Sequence, residues 1–154
     1  MQDMLVRLYD LPDYPVGKWT DGEVCIKRAI APELENVSSW VGEHFGSLWE
    51  SECRAAFGKT PATIFVAYHG QQLVGFACYH TTAVNFFGPT GVLDTYQGRG
   101  IGKALLLEAL YAMKAEGYSY AIIGGVGPVD FYKRVVDAVL IDKSDPGIYR
   151  DLLK

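Results

Sequence analysis

Apolar positions recur along the chain at two spacings, and the switches between them mark out its elements. Glu23 to Ala29 (EVCIKRA) alternates apolar with polar residues, which predicts a half-buried strand. Pro32 then stands where a first helical turn accepts it, and Leu34, Val37, Trp40 and Val41 fall at helical spacing through to His44. A second helix is expected over Leu48 to Phe57. Thr63 to Tyr68 (TIFVAY) and Gln72 to Tyr79 (QLVGFACY) flank His69-Gly70-Gln71, which predicts a hairpin of antiparallel strands. Asn85 to Leu93 continues the sheet, with Gly88 and Pro89 interrupting its ladder as a bulge or a splayed edge does.

The next helix is the most apolar of the chain. Only the arc holding Lys103, Leu107, Glu108, Tyr111, Lys114 and Ala115 carries polar groups, so the helix is buried on most sides. Gly117 ends it, Tyr120 to Ile123 (YAII) reads as a short buried strand, and Gly124-Gly125-Val126-Gly127-Pro128 forms a glycine-rich turn. Val129 to Val136 fits a short helix and Ala138 to Ile141 a last strand, while Gly147 to Arg150 either adds a strand or docks loosely. At the other end, Met4 to Tyr9 alternates well enough for an additional edge strand, within an N-terminal extension of residues 1–21.

A chain of 154 residues with 49% hydrophobic content predicts one globular domain, 1–154, with a substantial core. No apolar run approaches the roughly 20 residues that span a bilayer, and the N-terminus lacks the pattern of a secretory signal, so a cytoplasmic protein without a membrane partner is expected. Cys25, Cys53 and Cys78 are widely spaced and odd in number, which suggests small core residues, with neither a disulfide framework nor a metal site. A net charge of −4 gives no basic footprint for nucleic acid.

The run Gln97-Gly98-Arg99-Gly100-Ile101-Gly102-Lys103 joins a strand to the apolar helix, and a bare helix start of this kind binds anions through its free amides and its dipole. It is no Walker loop, because Gln97 stands where the first glycine belongs and Ala104 replaces the hydroxyl residue. Nor is it a dinucleotide fingerprint, since Lys103 occupies the last glycine position. What remains is Q/R-x-x-G-x-G/A, filled by Gln97, Gly100 and Gly102, and here the sequence resembles the GNAT superfamily of acyl-CoA N-acyltransferases. A tight helix entry with no ligand is the other reading of the same glycines.

The resemblance covers about residues 22 to 142 and implies the GNAT fold. That is an α/β (α+β) architecture whose central mixed, mostly antiparallel sheet splays between the strands around 85–93 and 120–123, with helices on both faces. It implies acetyl-CoA as cofactor. Val92 and Leu93 pair with the pantetheine arm, the amides of Gln97, Gly98, Arg99, Gly100, Ile101 and Gly102 receive the pyrophosphate, and Lys103 and Arg99 either add charge there or remain solvated. The chain departs from the family at Asp94, where a proline is usual; this carboxylate is expected to face solvent or cap the helix.

For catalysis the resemblance points to the Thr90 amide as oxyanion donor, beside the alternative that Gly88-Pro89-Thr90-Gly91 only kinks the sheet. Phe131-Tyr132-Lys133-Arg134 resembles the segment whose tyrosine protonates the coenzyme A sulfur, which makes Tyr132 the candidate acid. Around it, Gly125, Val136 and Asp137 replace the asparagine and the Gly-Phe pair that members often carry. The strand glutamate used by some members is Phe86 in this chain, leaving His80, and more remotely Glu52 or Asp130, as candidate bases. Tyr79, Phe86, Phe87, Tyr96 and Tyr132 suit either the walls of an amine pocket or an ordinary sheet core. The expected activity is acetyl transfer to a primary amine of a small molecule or peptide, by direct attack in a ternary complex. The alternative is a catalytically weak coenzyme A sensor or partner-binding module. Dimers are frequent in the family, and the N-terminal segment offers an interface for a homodimer.

Overall fold

Met4 and Val6 are fully buried, with Leu5 and Arg7 less so, and this alternation builds the first strand, β1 (Met4–Arg7). A computed structural model describes residues 1–154. After a 3₁₀ turn and a long irregular segment come β2 (Val24–Arg28), α1 (Leu34–Phe45) and α2 (Ser47–Phe57). The hairpin β3 (Ile64–His69) and β4 (Gln72–Tyr79) leads to β5 (Phe86–Val92) and α3 (Ile101–Ala115). Next are β6 (Tyr120–Ile123), α4 (Val129–Val136) and β7 (Val139–Leu140). The periodicities locate these elements closely. In the tail, Gly147–Tyr149 forms a 3₁₀ turn in place of a strand.

All seven strands form one sheet of order β2-β3-β4-β5-β6-β1-β7. Every neighbouring pair is antiparallel except β5 and β6, which run parallel and meet only at Phe86↔Ile122 and Phe87↔Ile123. Beyond that short pairing the two strands diverge, which is the expected splay. Between β4 and β5 the register runs from Ala77↔Thr90 to Tyr79↔Phe87, so Gly88 and Pro89 together oppose Cys78 as a bulge.

The N-terminal strand is not at an edge. β1 lies inside the sheet, paired with β6 from Met4↔Ile123 to Arg7↔Tyr120 and with β7 at Met4↔Leu140 and Leu5↔Val139. Its apolar face is the reason: Met4, Val6 and, just beyond, Leu8 belong to the main core, which an edge place would leave half-covered. The edge falls instead to the two-residue β7, whose side chains are exposed.

Helices cover both faces. Ile64 and Val66 of β3 point to the layer of α1 and α2, while Phe65 and Ala67 point to α3, and all four are buried as a doubly covered strand requires. The polar arc of α3 is also covered, by the segment between β1 and β2. There the Tyr14 hydroxyl and the Gly17 amide donate to the two oxygens of the buried Glu108, at 2.6 and 3.0 Å, and the Tyr111 hydroxyl donates to the Pro12 carbonyl at 2.6 Å. Burial, then the bond to Glu108, pushes the Tyr14 phenol well above its ordinary pKa. The N-terminal extension is thus a strap across α3. No helix is long and apolar enough to cross a membrane.

Candidate active site

Gly98 and Gly100 adopt positive φ, +77° and +80°, which lets the chain turn sharply from β5 into α3. The first amide of α3 to find a backbone acceptor is that of Ala104, which donates to the Gly100 carbonyl at 3.0 Å. The six amides before it, Gly98 through Lys103, have no acceptor within the protein. Such a run at a helix start concentrates partial positive charge with nothing to neutralise it. The Gln97 side chain does not join them; its Nε2 donates to the Val92 carbonyl at 3.0 Å and ties the loop to the end of β5.

These amides border a cleft of about 700 Å³. Val92, Tyr96 and Lys103 line it together with Phe131, Arg134 and Val135 of α4 and Pro12 of the strap. No carboxylate lines it, while Lys103 and Arg134 supply two cations. The donor set therefore fits an anionic diphosphate.

Two expectations for cofactor contacts are corrected. The Leu93 amide donates to the Val74 carbonyl of β4 at 2.9 Å and its own carbonyl accepts from Tyr96, so Leu93 has no backbone group left for a ligand. The Arg99 guanidinium turns away from the cleft onto Asp21, at 2.7 and 2.8 Å, and over the Tyr96 ring, so it adds no direct charge at the helix start. Asp21 is held down to about 2 by the amides of Val24 and Glu23 and then by Arg99. Asp94 is exposed and outside the cleft, as expected of a residue that must not repel an anion.

Along β5 successive residues direct their backbone groups to opposite edges. Since Leu93 points to β4, the amides of Val92 and Thr90 turn toward the splay, where β6 has no residue opposite them. The Thr90 hydroxyl is used separately, donating to the Phe76 carbonyl at 3.0 Å. Tyr132 packs edge-on against Phe87, the last β5 residue paired with β6, with ring centroids 6.5 Å apart. Burial alone pushes its phenol up to about 12, and its hydroxyl has no protein partner. Tyr132 thus lies beside the vertex of the splay, and Thr90 follows three residues after Phe87 along β5.

His80 is not brought to them. Its Nδ1 accepts the Asn85 amide at 2.9 Å, which leaves the proton on Nε2, and Nε2 donates to Glu116 beyond the far end of α3 at 2.9 Å. Tyr79 and Tyr118 cover the ring. With both nitrogens occupied, the imidazole closes the loop between β4 and β5. Asp130 is exposed on α4, whereas Glu52 faces the sheet beside Thr81 and Thr82. Pro12, Phe131, Arg134 and Val135 escaped the motif reading. The last three lie at i, i+3 and i+4, a shared helix face that periodicity alone could have flagged.

Sheet order, splay and glycine-rich helix start together define the GNAT fold. The profile of the acetyltransferase (GNAT) family matches residues 33–135, and the chain belongs to that family. No curated protein matches it by sequence. Among solved structures, a GCN5-related N-acetyltransferase from Sphaerobacter thermophilus is similar at a TM-score of 0.70 and 20% identity, covering 91% of this chain and 48% of that one. The GCN5-related glucosamine N-acetyltransferase region of a fungal multi-domain GH3 β-N-acetylglucosaminidase gives a TM-score of 0.70 at 17% identity, over 91% of this chain and 19% of that one. A GNAT-family acetyltransferase from Colwellia psychrerythraea gives 0.63 at 13% identity, over 90% and 52%. These likenesses concern the fold, and the chain spans about half or less of each relative.

Proposed function

We propose that residues 1–154 form one acetyltransferase domain that carries an acetyl group from acetyl-CoA to a primary amine of a small molecule or peptide, by direct attack in a ternary complex. The observation that carries this reading is the run of unpaired amides from Gly98 to Lys103, facing a cleft without carboxylates. Lys103 and Arg134 add charge for phosphates, and the Val92 amide, unpaired on the splayed edge, is open to an extended arm. When bound, acetyl-CoA supplies an acetyl group already activated as a thioester.

The chain's own residues do the rest. The Thr90 amide donates toward the vertex, where negative charge develops on the acyl oxygen. Tyr132 keeps its proton throughout the neutral range and would give it to the departing sulfur as the C–S bond breaks, the proton that the attacking nitrogen sheds returning to the tyrosinate. Phe87 and Phe131 keep water from the phenol.

Thiol release from acetyl-CoA, followed over a panel of primary amines, tests the reading. The wild-type chain is expected to turn over at least one of them, and Tyr132→Phe to lower kcat about 100- to 1000-fold, with coenzyme A affinity within about twofold. No amine-dependent release from a chain saturated with acetyl-CoA would contradict it.

A further inference from the structure

The vertex of the splay has a second side. Phe87 points to α3, so Phe86 points to the opposite face, under α1 and α2. On that face α2 presents Trp49, Glu52, Cys53 and Ala56 to the sheet, at the spacing of one helical stripe. Cys53 and Ala56 are fully buried, and Trp49 stacks on Phe45 at 5.6 Å. Phe45 in turn fills the space above Gly91, where a Cβ would come within 2.6 Å of its ring.

Glu52 sits among these groups half-buried. Oε2 receives the Thr82 hydroxyl, and the Thr81 hydroxyl lies between it and the Gly88 carbonyl, at 3.4 and 3.2 Å. Oε1 has no protein partner, and no Lys, Arg or His pairs with this carboxylate. Its neighbour Glu50 does have a cation, Arg54 at 2.9 Å, which also holds Glu35 at 3.1 Å. Across the gap stands Tyr149, its hydroxyl so close to Gly124 that a Cβ there would lie 2.6 Å away, with Phe86 next at 3.0 Å. Gly88 and Gly124 directly follow the last β5–β6 pair, Phe87↔Ile123. Burial pushes the Tyr149 phenol up, a bond to Thr82 draws it back, and the nearby Glu52 carboxylate adds to the rise.

A half-buried carboxylate that keeps one oxygen free and has no counter-ion offers an approaching cation a charge-assisted hydrogen bond. Aromatic rings around such a site favour an organic ammonium over a hydrated metal ion. We infer that Glu52 binds the ammonium of the acceptor at the vertex of the splay, on the face of α1 and α2, with Trp49 and Tyr149 flanking an apolar, ring-sized body. This rests on the transferase reading, in which the bound ammonium releases one proton to water before its nitrogen attacks, and it places donor and acceptor on opposite faces of one gap.

The test is calorimetric binding of 2-phenylethylamine to the full chain saturated with coenzyme A, with uncharged 2-phenylethanol as control. The wild type is expected to bind the amine more tightly than the alcohol. Glu52→Gln, which still accepts from both threonines, is expected to weaken the amine about 10- to 100-fold and leave the alcohol and coenzyme A unchanged. Equal amine affinity in both proteins overturns the inference, as does an equal loss for amine and alcohol, or a wild type that binds no amine. If Glu52→Gln fails to melt cooperatively, Glu52→Asp replaces it and is expected to show a smaller loss in the same direction, its absence being equally contrary. Amine binding that depends on Glu52 without any acetyl transfer would count against the transferase reading alone.

Discussion

Tyr132, the proposed acid, is also a packing residue. Its phenol titrates at about 12 in the fold, against an ordinary value of 10.0, because burial penalises the anion. The sign follows: above pH 10 the unfolded chain releases this proton while the folded chain retains it. Stability is therefore intact below pH 10 and falls between pH 10 and 12, by about 2–3 kcal/mol from this group. Thermal melts from pH 8 to 11.5 are expected to show a shallower alkaline decline in Tyr132→Phe than in the wild type. Parallel declines would mean that the phenol is not desolvated. The proposal for this residue starts from a continuous segment, Phe131 to Arg134, and its place on α4 was legible for that reason. His80 was misread for the opposite reason, since what occupies it is Glu116, 36 positions away, and an amide of its own turn. Glu52 likewise has no local motif; its meaning comes from Thr81, Thr82 and Tyr149, which only the fold brings near.

Among the elements, β1 changes the architecture most. Alternation in Met4 to Tyr9 revealed a strand but not its neighbours, because β6 and β7 lie more than a hundred residues on and strand pairing leaves no trace in the spacing of one segment. Its position also reaches the site. The Val126 amide donates to the Gln2 carbonyl at 2.9 Å and the Gly125 amide to the Asp3 carboxylate at 2.8 Å, so the start of the chain holds the glycine turn that launches α4 and Tyr132. Hydrogen exchange is expected to protect the hydrogen-bonded amides of β1 as strongly as those of β6, and both far more than β7. Exchange of β1 as fast as β7 would refute the internal placement. The strap over α3 was hidden in the same way, as the polar arc around Glu108 looked like a solvent face until Tyr14 and Gly17 were found upon it.

For the molecule as a whole, the splayed sheet separates two environments. The α3 side offers free amides and the cations Lys103 and Arg134, while the α1 and α2 side offers the unpaired carboxylate Glu52. On the proposed reading a phosphate-bearing donor and a cationic acceptor meet opposite faces, although the net charge of −4 gives no hint of this division. Element order and the glycine-rich helix start were readable in the sequence because both are local. The two-sided vertex was not, since it joins residues from Phe45 to Tyr149. The central claim is that the diphosphate of coenzyme A docks on the bare start of α3. Titration of ¹⁵N-labelled protein with coenzyme A tests it most directly: the amide resonances of Gly98 to Lys103 are predicted to shift saturably, together and more than those of any other segment. Saturable binding that leaves these six amides unmoved would contradict it.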